Sequence, residues 1–72
     1  MILFTAPWCS YCQVVKKHLD DHPEIEGVTL FNVDDDRDYA KSLGVKTIPA
    51  LLKDDGTLMT ESKDIITYLS NK

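Results

Sequence analysis

Three hydrophobic patterns follow one another along this chain, and each predicts a different element. Met1 to Phe4 is apolar without a break, the pattern of a strand covered on both faces. Thr5-Ala6-Pro7 interrupts it, and Pro7 disfavours a helix running through that point. From Ser10 to Asp21 the period becomes helical. At roughly 100° per residue, Cys12, Val15 and Leu19 fall within about 60° of one another, while Lys16, Lys17, Asp20 and Asp21 take other bearings. One side of that helix should therefore pack on a sheet, with Cys12 on it. Pro23 and Gly27 bracket its exit.

Val28 to Val33 is rich in β-branched and apolar types and predicts a second strand. Asp34-Asp35-Asp36 reads as a turn plus an N-cap and dipole-complementing carboxylates for a short helix from Arg37 to Leu43. A metal-binding acidic cluster is the rival reading, but consecutive residues rarely converge on one ion and further ligands at the required spacing are missing. Gly44 supplies a C-terminal cap. Ala50 to Lys53 predicts a third strand, Asp54-Asp55-Gly56 a hairpin turn, and Thr57 to Thr60 the returning strand. Ser62 is the candidate N-cap of a last helix whose apolar face is Ile65, Ile66 and Leu69. The order is β-α-β-α-β-β-α, one α/β domain over residues 1–72.

Composition narrows the function classes. Seventy-two residues lie near the size at which a single core only just suffices. With 43% hydrophobic and 28% charged residues, the composition is that of a globular protein, and a folded domain is expected rather than a disordered chain. A net charge of −4 with no run of Lys or Arg disfavours non-specific binding to nucleic acid or an anionic membrane. No stretch approaches the roughly 18 apolar residues of a membrane span. Met1-Ile2-Leu3-Phe4 lacks the positive flank and length of a signal peptide, so a cytoplasmic location is expected.

The candidate chemistry is Trp8-Cys9-Ser10-Tyr11-Cys12, which holds the only two cysteines. A lasting disulfide is uncommon in the cytosol. Chain entropy gives so short a loop about 2 kcal/mol, against about 3 for a 15-residue loop, so the pair is poorly placed as a staple. A structural zinc site needs four ligands. His18 and His22 are the other soft candidates, but Cys9 and His18 would lie roughly 13 Å apart in helical rise on nearly opposing bearings. A Cys₄ site shared between two chains is the version of the metal reading that survives this geometry; within one chain no metal is expected. His18 and His22 are read as surface residues. Tyr39 and Tyr68 are read as core-packed with wet hydroxyls. Lys46 is read as solvated, with a part in partner choice as the rival.

With Cys-x-x-Cys between the first strand and helix, and Pro49 before the third strand, the chain resembles the thioredoxin and glutaredoxin superfamily. Phe4-Thr5-Ala6-Pro7-Trp8-Cys9, Asn32-Val33-Asp34 and Leu43-Gly44-Val45-Lys46-Thr47-Ile48-Pro49 are similar to thioredoxin segments. The size, with no preceding strand and helix, is glutaredoxin-like. The resemblance implies a minimal thioredoxin fold, with a four-stranded mixed sheet flanked by helices. It also implies a cis peptide before Pro49, with that loop facing the cysteines. Several positions depart from the pattern. Ser10-Tyr11 matches neither thioredoxin's Gly-Pro nor the Pro-Tyr of common glutaredoxins. Leu3 stands where thioredoxin buries an Asp, and Leu30 where it has a Lys. Thr60-Glu61-Ser62-Lys63-Asp64 lacks the glycines with which glutaredoxins hold glutathione.

What the resemblance implies is a thiol–disulfide oxidoreductase working in the reducing sense. Cys9, at the helix N-terminus where unpaired N–H groups and the dipole favour a thiolate, is expected to be the exposed nucleophile. Cys12 is expected to resolve the mixed disulfide, leaving a redox-active Cys9–Cys12 bridge and no bound cofactor. Trp8, Ser10 and Tyr11 would flank the sulfur, and Thr47, Ile48 and Pro49 would receive the target's extended segment. The expected partners are protein disulfides, such as that of ribonucleotide reductase, and thioredoxin reductase as the source of electrons. A monomer is expected. The rivals are a glutathione-recharged glutaredoxin and a binding subunit that acts independently of redox chemistry.

Overall fold

The structure, a computed structural model, describes residues 1–71. Its seven elements are β1 (Ile2–Thr5), α1 (Ser10–Asp21), β2 (Thr29–Asn32), α2 (Arg37–Ser42), β3 (Ala50–Leu52), β4 (Leu58–Met59) and α3 (Ser62–Ser70). They form one four-stranded sheet in the order β2-β1-β3-β4. β1 runs parallel to β2, which only a crossover through α1 permits, and antiparallel to β3. β3 and β4 form the hairpin. This is the minimal thioredoxin fold, with the element order that the hydrophobic pattern predicts.

The unbroken apolar run of β1 is explained by its neighbours. Successive strand residues point to opposite faces, so Leu3 and Phe4 serve two different cores, and both are fully buried. Leu3 packs with Val15, Leu51, Ile65 and Leu69, between the sheet and the pair α1 and α3. Phe4 packs with Val33, Ala40, Val45 and Ala50, under α2, and this second core also takes in Cys9 and Cys12. The registers Leu3↔Leu51 and Phe4↔Ala50 keep like faces together. At roughly 25 cal/mol per Å² of apolar surface, both faces are needed in so small a chain.

Several boundaries are corrected. The second strand is Thr29–Asn32 rather than 28–33, and it is an edge strand: Leu30 is half exposed, because only β1 pairs with it. The second helix ends at Ser42, with Leu43 as its C-cap and Gly44 at φ +88°, a conformation that suits glycine; the Gly44 N–H closes on Lys41 O at 3.0 Å. The returning strand is only Leu58–Met59, preceded by the Asp55 carboxylate, which accepts both the N–H and the hydroxyl of Thr57 at 3.0 and 2.7 Å. Ser62 is not the cap of α3. It is the first helical residue, Glu61 occupies the cap position with no side-chain capping bond, and the backbone turns into the helix one residue earlier than the Ser pattern suggests.

Candidate functional site: a sulfur-capped helix beside a cationic groove

Cys9 is the N-cap of α1, in extended conformation at φ −94° and ψ 112°. Its sulfur takes the place that a Ser or Asp oxygen usually fills, accepting the Cys12 N–H at 3.2 Å. Its carbonyl accepts the Gln13 N–H and its own N–H is donated to Ala6 O, each at 3.2 Å, so backbone bonds hold the residue on both sides. The Cys12 amide thus meets the sulfur at the first turn of a twelve-residue helix. The thiol also lies 3.9 Å from Ile48 O, which ties the cysteine to the segment before β3.

Both cysteines are free thiols and both are buried. Cys9 is therefore not the exposed nucleophile that the sequence leads one to expect: 8% of its surface is open, against 0% for Cys12. Cys9 is still the more open of the two, and the Ile48 carbonyl lies 3.9 Å from its sulfur. Burial pushes the Cys12 thiol up to about 12, and its contact with the Cys9 sulfur adds to the shift. A backbone hydrogen bond with Ala6 and the half-buried Lys16, one turn further along α1, act in the opposite direction and only in part offset it. Leu3 fills the core and supplies no carboxylate.

The peptide between Ile48 and Pro49 is cis, and Pro49 is buried beside the thiols' core. Thr47, just before it, is exposed, and its backbone N–H and C=O make no hydrogen bond among the described residues. An open groove of about 390 Å³ starts there. Val33, Ala40, Val45 and Ile48 form its floor, and Trp8 and Thr47 stand at its edge. Of the residues expected around the sulfur, Trp8, Thr47 and Ile48 line this groove. Ser10 and Tyr11 do not: both are exposed on the first turn of α1, Tyr11 at 68%.

Trp8 is 65% exposed yet not free. Its indole N–H donates to one Asp34 carboxylate oxygen at 2.9 Å, while Arg37 donates to the other at 2.8 Å. Arg37 first, and Trp8 second, hold the Asp34 carboxyl below the usual carboxylate range. The acidic triplet thus divides its work. Asp36 caps α2, accepting the Tyr39 N–H at 2.9 Å, and Asp34 anchors the indole. Sequence reading misses Asp34, Arg37 and Lys41 as site residues, although the Asp-x-x-Arg spacing is the i,i+3 signal of their ion pair.

His18 and His22 lie on the opposite end of α1 with ring centroids 4.4 Å apart, bonded to Ser70 and Glu24 at 2.9 Å each. Among the described residues no group of three or more His, Cys, Asp and Glu is placed to hold a metal ion, and no helix is long and apolar enough to cross a membrane.

Comparison with known proteins agrees with this geometry. The family described as glutathione S-transferase, N-terminal domain, matches residues 3–72. Thioredoxin of Haemophilus influenzae is 40% identical over 53 residues, which are 68% of this chain and 50% of that protein. The matched stretch therefore spans about half the length of that curated relative. The chain belongs to the glutathione S-transferase N-terminal domain family, and through its thioredoxin-like fold to the thioredoxin and glutaredoxin superfamily. That membership supports a thiol redox role in general terms.

Proposed function

We propose that the protein is a thiol–disulfide oxidoreductase that reduces disulfides of other proteins. The observation that carries the reading is the sulfur cap: Cys9 Sγ receives the Cys12 amide at 3.2 Å at the head of α1, with the second thiol wholly buried one turn inside. In the first step the Cys9 thiolate attacks one sulfur of the target disulfide, and the other leaves as a thiolate that takes up a proton. In the second, Cys12 gives up its proton and its sulfur attacks Cys9 Sγ, releasing the second target thiol. Two electrons and two protons pass to the target, and a Cys9–Cys12 disulfide remains. Trp8, Thr47, Ile48 and Pro49 receive the target beside the sulfur, with Ser10 and Tyr11 touching it from the outer side. A cytoplasmic dithiol of this kind suits a donor to an enzyme such as ribonucleotide reductase, recharged by a flavin-dependent thioredoxin reductase.

Cys9→Ser should abolish reduction of insulin. Cys12→Ser should accumulate a covalent adduct with the target, visible on a non-reducing gel and released by dithiothreitol. Insulin reduction that survives in the Cys9→Ser protein would sink the assignment.

A second reading has an observation of its own. The matched family is named for glutathione, so glutathione is the rival source of electrons. Oxidised protein offered NADPH with thioredoxin reductase, and separately reduced glutathione with glutathione reductase, distinguishes the two by the rate of NADPH consumption.

A further inference from the structure

The chain carries eight Lys and Arg against twelve Asp and Glu, yet three of the eight cations, Arg37, Lys41 and Lys46, line the groove beside Cys9, and no carboxylate does. Arg37 is neutralised by Asp34 at 2.8 Å. Lys41 and Lys46 are exposed and make no ion pair among the described residues. Solvent alone does not explain why unpaired cations in an acidic protein gather along an apolar trough lined also by Trp8, next to Cys9 in the chain, and by Ile48, whose carbonyl lies 3.9 Å from the Cys9 sulfur. Charge of one sign along a low-dielectric groove raises the local concentration of ligands of the other sign.

Resting on the disulfide-reductase reading, we propose that this groove selects target proteins whose reactive cysteine is followed, in an extended segment, by an apolar residue and then carboxylates. The apolar side chain would lie on Val33, Ala40, Val45 and Ile48. The carboxylates would reach Lys41 and Lys46. Extended backbone is required because the Thr47 N–H and C=O, unpaired among the described residues, belong to a residue that lines the groove, where they can pair with a strand-like segment. The redox step is unchanged: two electrons pass from the two thiols to the target disulfide.

The test uses three short peptides in which a cysteine, bonded through a disulfide to 2-thiopyridine, is followed by Leu and then two Glu, two Gln or two Lys. The release of 2-thiopyridone by the reduced full chain is followed at low ionic strength and again in about 0.5 M salt. Two exposed charges change sign between these peptides, so the second-order rate constant of the single-turnover reaction should be about three- to tenfold higher for the Glu peptide than for the Lys peptide. The gap should fall to less than about twofold in the high salt, where the Debye length is only a few Å. In the K41E/K46E variant the order of the Glu and Lys peptides should reverse, with the Gln peptide as the internal reference. The milder Lys41→Gln and Lys46→Gln variants should each narrow the gap, should the double variant fail to fold.

Equal rates for the three peptides would overturn the proposal and leave the reductase reading standing. So would a preference that survives both lysine changes. If the mixed disulfide of glutathione with 2-thiopyridine outpaces every peptide, the groove is a tripeptide site and selection of a protein segment is wrong. If wild-type protein reduces neither these probes nor the uncharged hydroxyethyl disulfide, the reductase reading fails and the selectivity fails with it.

Discussion

Asp34 joins the chemistry of one loop to the shape of another. One carboxylate oxygen holds the Trp8 indole and the other holds Arg37, so the aromatic edge of the groove is fixed by a residue 26 positions away in sequence. A mostly exposed indole without that bond would sample several rotamers, and a target would have to select one of them. Asp34→Ala should therefore raise KM for a protein disulfide about threefold with kcat little changed, the loss of one surface hydrogen bond. Trp8 fluorescence anisotropy should fall in the same variant. Asp34→Asn keeps an oxygen for the indole and should restore most of both readouts. An unaltered anisotropy in Asp34→Ala would show that the bond does not restrain the ring. At this scale the sequence is uneven as a guide. Cys9 and Cys12 announce themselves by spacing, and Trp8 by adjacency. Asp34 is hidden because three consecutive Asp residues present the same local signal, and only folding assigns the cap to Asp36 and the indole to Asp34.

The short helix α2 supplies three of the nine residues that line the groove, Arg37, Ala40 and Lys41. Six residues are too few to be stable alone in water, since helix nucleation costs more than so few bonds return. Its hold comes from Ala40, buried against the Phe4 core, from the Asp36 cap, and from the Gly44 turn at its end. Asp36→Ala should cost about 1 kcal/mol in urea unfolding. Hydrogen exchange should rise first at the amides of Tyr39 and Ala40, before the β1 amides change. Uniform acceleration across the sheet would mean that α2 unfolds only with the whole molecule. The helices also mark where sequence patterns carry information and where they run out. α1 begins and ends where its period predicts, because a twelve-residue amphipathic pattern is long enough to fix its own phase. α3 begins at Ser62 rather than after it. A single Ser before an apolar run signals a cap without fixing which backbone amide turns first, and here the two-residue β4 leaves little chain in which to place the turn. β2 was legible as a strand but not as an edge, since edge or centre depends on partners that no local window contains.

Taken as a whole, the molecule buries its second thiol at the junction of α1 with the core beneath α2, and that placement ties stability to pH. Burial first, and the neighbouring Cys9 sulfur second, push Cys12 up to about 12 in the folded protein, whereas an unfolded chain's cysteine titrates near 8.5. Below about pH 8.5 both states keep the proton and the group contributes no pH dependence. Between about 9 and 12 the unfolded chain has lost a proton that the native state retains. The unfolded state then binds fewer protons, and stability must fall as pH rises. Other groups also lose protons in alkaline solution, so a single pH profile does not isolate Cys12. The difference between reduced wild-type protein and Cys12→Ala does, because the variant keeps the other titrating groups. Cys12→Ala should be the less stable protein at pH 7, having lost a buried side chain, and its deficit should shrink steadily as urea midpoints are taken at pH 9, 10 and 11. A deficit constant across that range would mean that water reaches Cys12 in the folded state. The same burial that makes the thiol reluctant to ionise would then be absent, and with it the barrier that, in the proposed mechanism, separates attack by Cys9 from resolution by Cys12.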